Sequence, residues 1–283
     1  KVWDIKTFEE IATLKGHSNA VSSVYADDKR IYSGSHDDTV KVWDGKTYEE
    51  LATLEGHTKW VTSVYADDKR IYSGSHDNTV KVWDSKTFEE IATLKGHSSF
   101  VSSIYADDKL IYSGSWDCTI KIWDIKTFEE ISTIKGYTGL ITSVYADDKR
   151  MYLGSSYKTA TVWDTKTFKK IVTLREYGGG LASIYADDKR IYSGSWGNTI
   201  KVWDSQTFEE IATLKGHTEV VFDIYADDKR IYSASHDDTV KIWDSKTFRE
   251  ITTLKHGGGI ASIYADDKQI SLTYHFGGTV KIW

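Results

Sequence analysis

The chain has 283 residues, is 40% hydrophobic and 28% charged, and carries a formal net charge of −6. That composition excludes a disordered chain and lacks the basic surplus that nucleic-acid binding draws on. No stretch approaches the ~20 apolar residues of a membrane helix and no signal-peptide pattern opens the chain. The lone cysteine, Cys118, excludes an internal disulfide or cysteine zinc site and fits a reducing, cytoplasmic setting.

Lys1-Val2-Trp3-Asp4 already reads as structure, so the sequence is expected to be a piece of a longer protein. The same tetrapeptide, or a close relative, starts again at 41, 81, 121, 161, 201 and 241, and Lys281-Ile282-Trp283 ends the sequence. Such a fixed period of 40 residues marks a repeat architecture. In the first full cycle Val21 to Ala26 is a β-branched and aromatic run, and Asp27-Asp28 is a hairpin signal. Lys29 to Ser35 gives a second strand, and His36 to Asp38 another turn. Thr39 to Trp43 alternates as a third strand, Asp44 to Lys46 turns, and Tyr48 to Leu54 makes the fourth. A helix over Thr7 to Leu14 is the alternative suggested by Phe8, Ile11 and Leu14, but the segment is short and sits between turn signals. Four short strands in each repeat make one propeller blade.

Gly-His followed by Ser-Gly-Ser-x-Asp-x-Thr-Val-Lys-Val-Trp-Asp resembles the signature of the WD-repeat family, and the likeness recurs in register along essentially the whole chain. It implies an all-β fold: a seven-bladed propeller of four-stranded antiparallel blades, formed as one domain over 1–283. Closure is expected from an N-terminal outer strand, Phe8 to Leu14, joining the blade of Ile260 to Trp283. Lys1-Val2-Trp3 is then surplus, fraying or packing on the rim. A ring without open edges predicts a monomeric domain.

The resemblance also implies a buried chain of His, Ser, Asp and Trp in each blade. Four units carry it complete: His17-Ser33-Asp37-Trp43, His57-Ser73-Asp77-Trp83, His97-Ser113-Asp117-Trp123 and His217-Ser233-Asp237-Trp243. Such sets satisfy buried polar groups. Recurring four times, each ending in Trp and without an oxyanion hole, they are structural rather than catalytic triads. Three units depart from the pattern: Tyr137, Leu153 and Tyr157; Tyr177, Ser193 and Gly197; and His256, Thr273 and Gly277. These blades are expected to be softer and held by apolar packing. Gly178 to Gly180 and Gly257 to Gly259 strip side chains from one face, leaving a shallow trough or reflecting repeat drift. The Asp-Asp pairs sit on separate hairpins, each followed by Lys, and read as solvated turns rather than calcium sites.

In the family, partners commonly sit on the face bearing the loops between outer and inner strands. The most variable positions of the units fall there. Trp60, His76, Phe100 and Trp116 come from consecutive units and should form one arc; Trp196, Phe222 and His236 should form a second. Exposed aromatics of this kind act as hot spots once a partner covers them. His36, His76 and His236 are too dispersed for one metal site, although their titration is a possible source of pH-sensitive binding. The expected function is a non-catalytic scaffold or sensor platform binding a protein or peptide. It uses no cofactor, metal, nucleic acid or membrane. A lectin-like glycan or small-molecule binder using Trp60, Trp116 and Trp196, and an engineered or recently amplified repeat protein without a selected partner, are the alternatives.

Overall fold

The computed structural model describes residues 1–175, 178–255, 258–266, 269–274 and 279–280, with backbone only at 274, 279 and 280. Among these residues every regular element is a strand, and no helix is long and apolar enough to cross a membrane. The strands form seven four-stranded antiparallel sheets. Blade 1 is Val21–Ala26, Arg30–Ser35, Val40–Asp44 and Glu50–Leu54, and blades 2 to 6 repeat that order, ending at Lys255. The first strand of each blade lies against the first strand of the next, and Ile260–Ala265 returns to Val21–Ala26, so the ring is closed.

Two turns set the blade. The first Asp of each Asp-Asp pair is a cap. Asp27 accepts the amides of Lys29 and Arg30 at 2.7 and 2.8 Å through Oδ1, while its Oδ2 accepts the buried Tyr32 hydroxyl at 2.8 Å. The turn therefore needs an acid here and a tyrosine five residues on. At the other end, Asp44 accepts the amides of Lys46 and Thr47, and Tyr48 follows with a φ of 63°. That left-handed residue starts the outer strand two positions later than expected, at Glu50.

The aromatic residue in this left-handed position is packed between blades. Arg30 lies over the Phe88 ring at 5.2 Å and donates to the Ser85 carbonyl, so the second strand of one blade grips the turn of the next. Arg70 on Phe128, Arg150 on Phe208, Arg190 on Phe248 and Arg230 on Phe8 repeat the clamp. Where Leu110 replaces the arginine, it joins Phe168 against one apolar cluster. At the seventh joint the pair becomes Gln269 and Tyr48, and the tyrosine hydroxyl donates to Gln269 Oε1 at 3.2 Å.

Between blades the core is built from both sides. Blade 1 supplies Tyr32, Val40, Val42 and Leu54; blade 2 supplies Val61, Val64, Ala66, Ile71 and Trp83. Toward the axis, Tyr25, Tyr65, Tyr105, Tyr145, Tyr185, Tyr225 and Tyr264 form an unbroken circle of neighbouring rings, with centroids 4.7–5.0 Å apart.

Closure uses more of the N-terminus than one outer strand, and Lys1-Val2-Trp3 is not surplus. Val2–Asp4 is the third strand of blade 7, paired on one side with Gln269–Tyr274 and on the other with the outer strand Glu10–Ala12. The Lys1 amine donates to Leu272 O at 3.0 Å, and the Leu272 amide donates to Lys1 O at 2.9 Å. Thr279 and Val280 pair with Lys15 and Leu14, as Thr79 and Val80 pair with Lys95 and Leu94 in blade 2. One third strand is thus assembled end to end from both ends of the chain. The physical reason is burial: Val2 is 0% and Trp3 8% exposed, which a strand left at the rim would forfeit. Lys281 to Trp283, which sequence reading placed in this strand, lie outside the described residues.

Val2→Asp is expected to lower unfolding stability by about 3–5 kcal/mol, because it buries an unpaired carboxylate. Ile11→Asp on the outer strand, 46% exposed, should change it by no more than about 0.5 kcal/mol. Urea unfolding measures both; equal losses would remove Lys1–Asp4 from the third-strand position.

Candidate interaction face

The four complete polar chains form as the sequence implies. His17 Nδ1 meets Asp37 Oδ2 at 2.9 Å, His17 Nε2 meets Ser33 Oγ at 2.8 Å, and Trp43 Nε1 donates to Ser33 Oγ at 2.9 Å. The neutral imidazole with its proton on Nδ1 satisfies every member. His57, Ser73, Asp77 and Trp83 repeat the chain, as do His97, Ser113, Asp117 and Trp123, and His217, Ser233, Asp237 and Trp243. The order of atoms matches a hydrolytic triad, but all four serines are sealed from solvent, so no substrate reaches their hydroxyls.

Burial alone would push the Asp37 carboxyl up. Hydrogen bonds from His17, Thr39 and the Ser18 amide outweigh it and hold that carboxyl well below the usual range. Asp77, Asp117 and Asp237 are held down in the same way. Burial lowers His97 and His217 more than their aspartates raise them.

The departing blades are not uniformly apolar. In blade 4 the Trp163 indole donates to Tyr137 Oη at 2.7 Å and to Thr161 Oγ1 at 2.9 Å, and the two hydroxyls bond each other. A new polar triad has replaced the old one, because tyrosine reaches the indole that the missing serine would have met. Burial pushes the Tyr137 hydroxyl up to about 12, so it stays protonated. In blade 5 Trp203 still donates to Ser193, at 3.3 Å. In blade 7 the strand register places Leu272 at the chain serine's position, not Thr273, because Ile263 faces Leu272 as Val24 faces Ser33. Tyr177, His256 and Gly277 lie outside the described residues.

The chain aspartates anchor the turn whose preceding residue points at the next blade. His36 stacks on Trp60, centroids 4.2 Å apart and planes 6° apart, and His76 stacks on Phe100 at 3.9 Å and 6°. Trp60 also meets His76 at 5.1 Å, and Phe100 meets Trp116 at 5.4 Å. The expected arc of Trp60, His76, Phe100 and Trp116 is therefore one continuous stack, and His36 extends it by a ring that sequence reading left out. The signal was available, since His36 precedes Asp37 as His76 precedes Asp77. Trp60 and Trp116 remain 45% and 42% exposed. Burial holds His36 and His76 below the ordinary histidine range, so both stack as neutral rings at pH 7.

The second group is looser. Phe222 meets His236 edge-on at 5.6 Å, and His236 Nδ1 lies 3.0 Å from Glu219 Oε2. Trp196, 50% exposed, makes no ring contact with either among the described residues. The glycine runs are filled at Gly180 and Gly259, while a Cβ on Gly258 would meet open space. A Cβ on Gly180 would lie 2.3 Å from the Ser156 carbonyl oxygen, and one on Gly259 would lie 2.4 Å from the His236 ring. Glycine is needed there because the neighbouring blade's turn occupies the space.

Inside the arc lies the mouth of the axial channel, a cavity of about 320 Å³ lined by hydroxyls and by His36, His76, Phe100, Trp116 and Phe222. Six serines ring it at one level, from Ser23 to Ser262, and Asp223 takes the seventh place. Asp223 accepts from Ser183 Oγ, Ser262 Oγ and the amides of Ile224 and Ile263 at 2.9–3.0 Å, while burial raises its pKa. Aligning the units would have singled it out, as the one acid at a serine position.

Fold and face together define a β-propeller with a loop surface held by buried polar chains. A family model for the WD domain, G-beta repeat, matches residues 8–44, 48–84, 88–124, 168–204 and 208–244, well over half of the chain. The chain belongs to the WD40 repeat family. The first three strands of blade 4 fall in the gap between matches, consistent with its replaced chain residues. The crystal structure of the WD40 beta propeller domain of Doa1 superposes with a TM-score of 0.87 at 24% identity, covering 97% of this chain and 95% of that one. At that identity the likeness shows the fold. In all, 1777 chains of solved structures match, so the fold does not select a partner. No curated protein matches in sequence.

The polar chains make stability acid-sensitive. His97 and His217, lowered in the folded state, favour folding above their ordinary value of 6.5, so that contribution declines as pH falls below it. The aspartates, also lowered, favour folding above their ordinary 3.8 and lose that contribution under stronger acid. Urea midpoints between pH 7.5 and 3 should therefore fall in two phases, and Asp117→Asn should reduce the lower one.

Proposed function

We propose that this propeller is a non-catalytic platform that binds a protein or peptide through the arc His36–Trp60–His76–Phe100–Trp116. WD40 propellers generally act in protein interactions and are generally non-catalytic. The observation that carries the reading is the contiguous stack of five rings from three successive blades, half exposed, in a chain whose other surface positions are largely copied. Flat, rigid rings offer large contact area at little entropic cost on binding. Phe222, His236 and Trp196 extend the contact as a secondary patch across the channel mouth. Glycan stacking is less well supported, because His36 covers one face of Trp60 and Phe100 covers one face of His76, leaving fewer free ring faces for sugars.

The test is a comparative pull-down from source lysate with the native chain and a Trp60→Ala, Phe100→Ala, Trp116→Ala variant of equal melting temperature. A partner retained by the first and lost by the second is the expected outcome. Retention by both would move the contact surface to another part of the ring.

A further inference from the structure

Blade 4 reverses the charge of the repeat. In blade 1, Asp37, Asp38, Lys41, Glu49 and Glu50 are four acids and one base; the same positions in blade 4 are Tyr157, Lys158, Thr161, Lys169 and Lys170, three bases and no acid. Elsewhere the strand lysine is neutralised. Lys41 bonds Glu50 at 2.8 Å and Thr53 at 2.7 Å, and Lys81, Lys121 and Lys241 do likewise. In blade 4 a lysine stands where that glutamate belongs, inside a chain whose overall charge is negative.

The exchange also opens space. Asp37 is tucked under its histidine, but Tyr157 in its place is 65% exposed. A cavity of about 230 Å³ is left, lined by Lys135, Lys170, Tyr137, Thr138, Thr173 and the Trp163 ring. Its polar side chains are ammonium groups, hydroxyls and an indole N–H, with no carboxylate among them. Neither lysine has a carboxylate partner within ion-pair distance among the described residues. The Thr173 hydroxyl has lost the glutamate that its counterparts bond.

We infer that this cavity binds a phosphoryl group, with Lys135 and Lys170 supplying charge and the threonine hydroxyls donating to the remaining oxygens. Two ammonium groups suit a dianion, and charge-assisted hydrogen bonds are the stronger kind. The ligand is free phosphate or a phosphate ester on a partner; the chemistry recognised is the same. The site lies on blade 4 and does not use the aromatic arc, so the two proposals stand or fall separately.

The test is calorimetric titration of the full chain at low ionic strength with inorganic phosphate, O-phosphoserine and serine. Variants are Lys170→Glu, which restores the acid of the other blades, Lys135→Gln, and Lys46→Glu as a control on the exposed turn of blade 1. Melting curves check that each is folded. Inorganic phosphate should bind the native chain and the control within about twofold of each other, and weaken by about tenfold or more in Lys170→Glu and Lys135→Gln. Binding of O-phosphoserine but not serine would assign an ester as a ligand; binding of inorganic phosphate alone would assign the free anion. Equal binding by the native chain and both blade 4 variants, or no heat with the native chain at millimolar phosphate, overturns the site.

Discussion

The buried chain from Trp through Ser and His to Asp is the constraint on which the rest of the molecule depends. It joins four separate pieces of a blade: the third strand, the second strand, the entry loop from the preceding blade and the turn between second and third strands. Each polar atom of the chain meets a partner that suits it, and Ser33 Oγ meets two, so the four pieces share one register or leave a buried donor unmet, which is costly. Because Asp37 is fixed, His36 beside it is fixed, and with it the ring that Trp60 stacks upon. The aromatic face is held in place by the paired polar groups beneath it.

Blade 4 shows that this requirement is about satisfaction rather than identity. Losing His, Ser and Asp together would orphan the Trp163 indole, yet Tyr137 and Thr161 meet it from new directions. The rebuilt triad is smaller than the one it replaces. Space and uncompensated positive charge are left together at the rim, so a change made inside the blade reshapes what the outside can hold.

Most of the fold was legible in the sequence because period and turn chemistry agreed: Val21 to Ala26 came out to the residue. The complete chains followed from the resemblance to the WD-repeat family rather than from spacing alone. What was not legible has physical causes. Lys1-Val2-Trp3 and Lys281-Ile282-Trp283 are near copies, so spacing alone could not say which enters the third strand. The outer strands begin late because an aromatic residue sits in the left-handed region, which propensity argues against. Leu272 was missed as the serine counterpart because the seventh unit is one residue shorter before its first strand, so that Tyr264 follows Tyr225 after 39 residues rather than 40. The aromatic arc was visible as variation among units, but the stacking order, and so the part played by His36, needed the angle between blades.

The clamps between blades make one repeat distinguishable from another where the strands do not. Most joints read arginine on phenylalanine, one reads Leu110 with Phe168, and the joint that closes the circle reads Gln269 with Tyr48. A protein made of near-identical parts is exposed to shuffling: a unit dropped or gained by recombination leaves every strand pattern intact. Here such an event at the Gln269–Tyr48 joint pairs an arginine with tyrosine, or glutamine with phenylalanine, and the hydrogen bond between the two side chains goes unmade. That joint differs from the others on both of its sides, so it works as a label of address and gives a circle of nearly interchangeable modules a defined place to end.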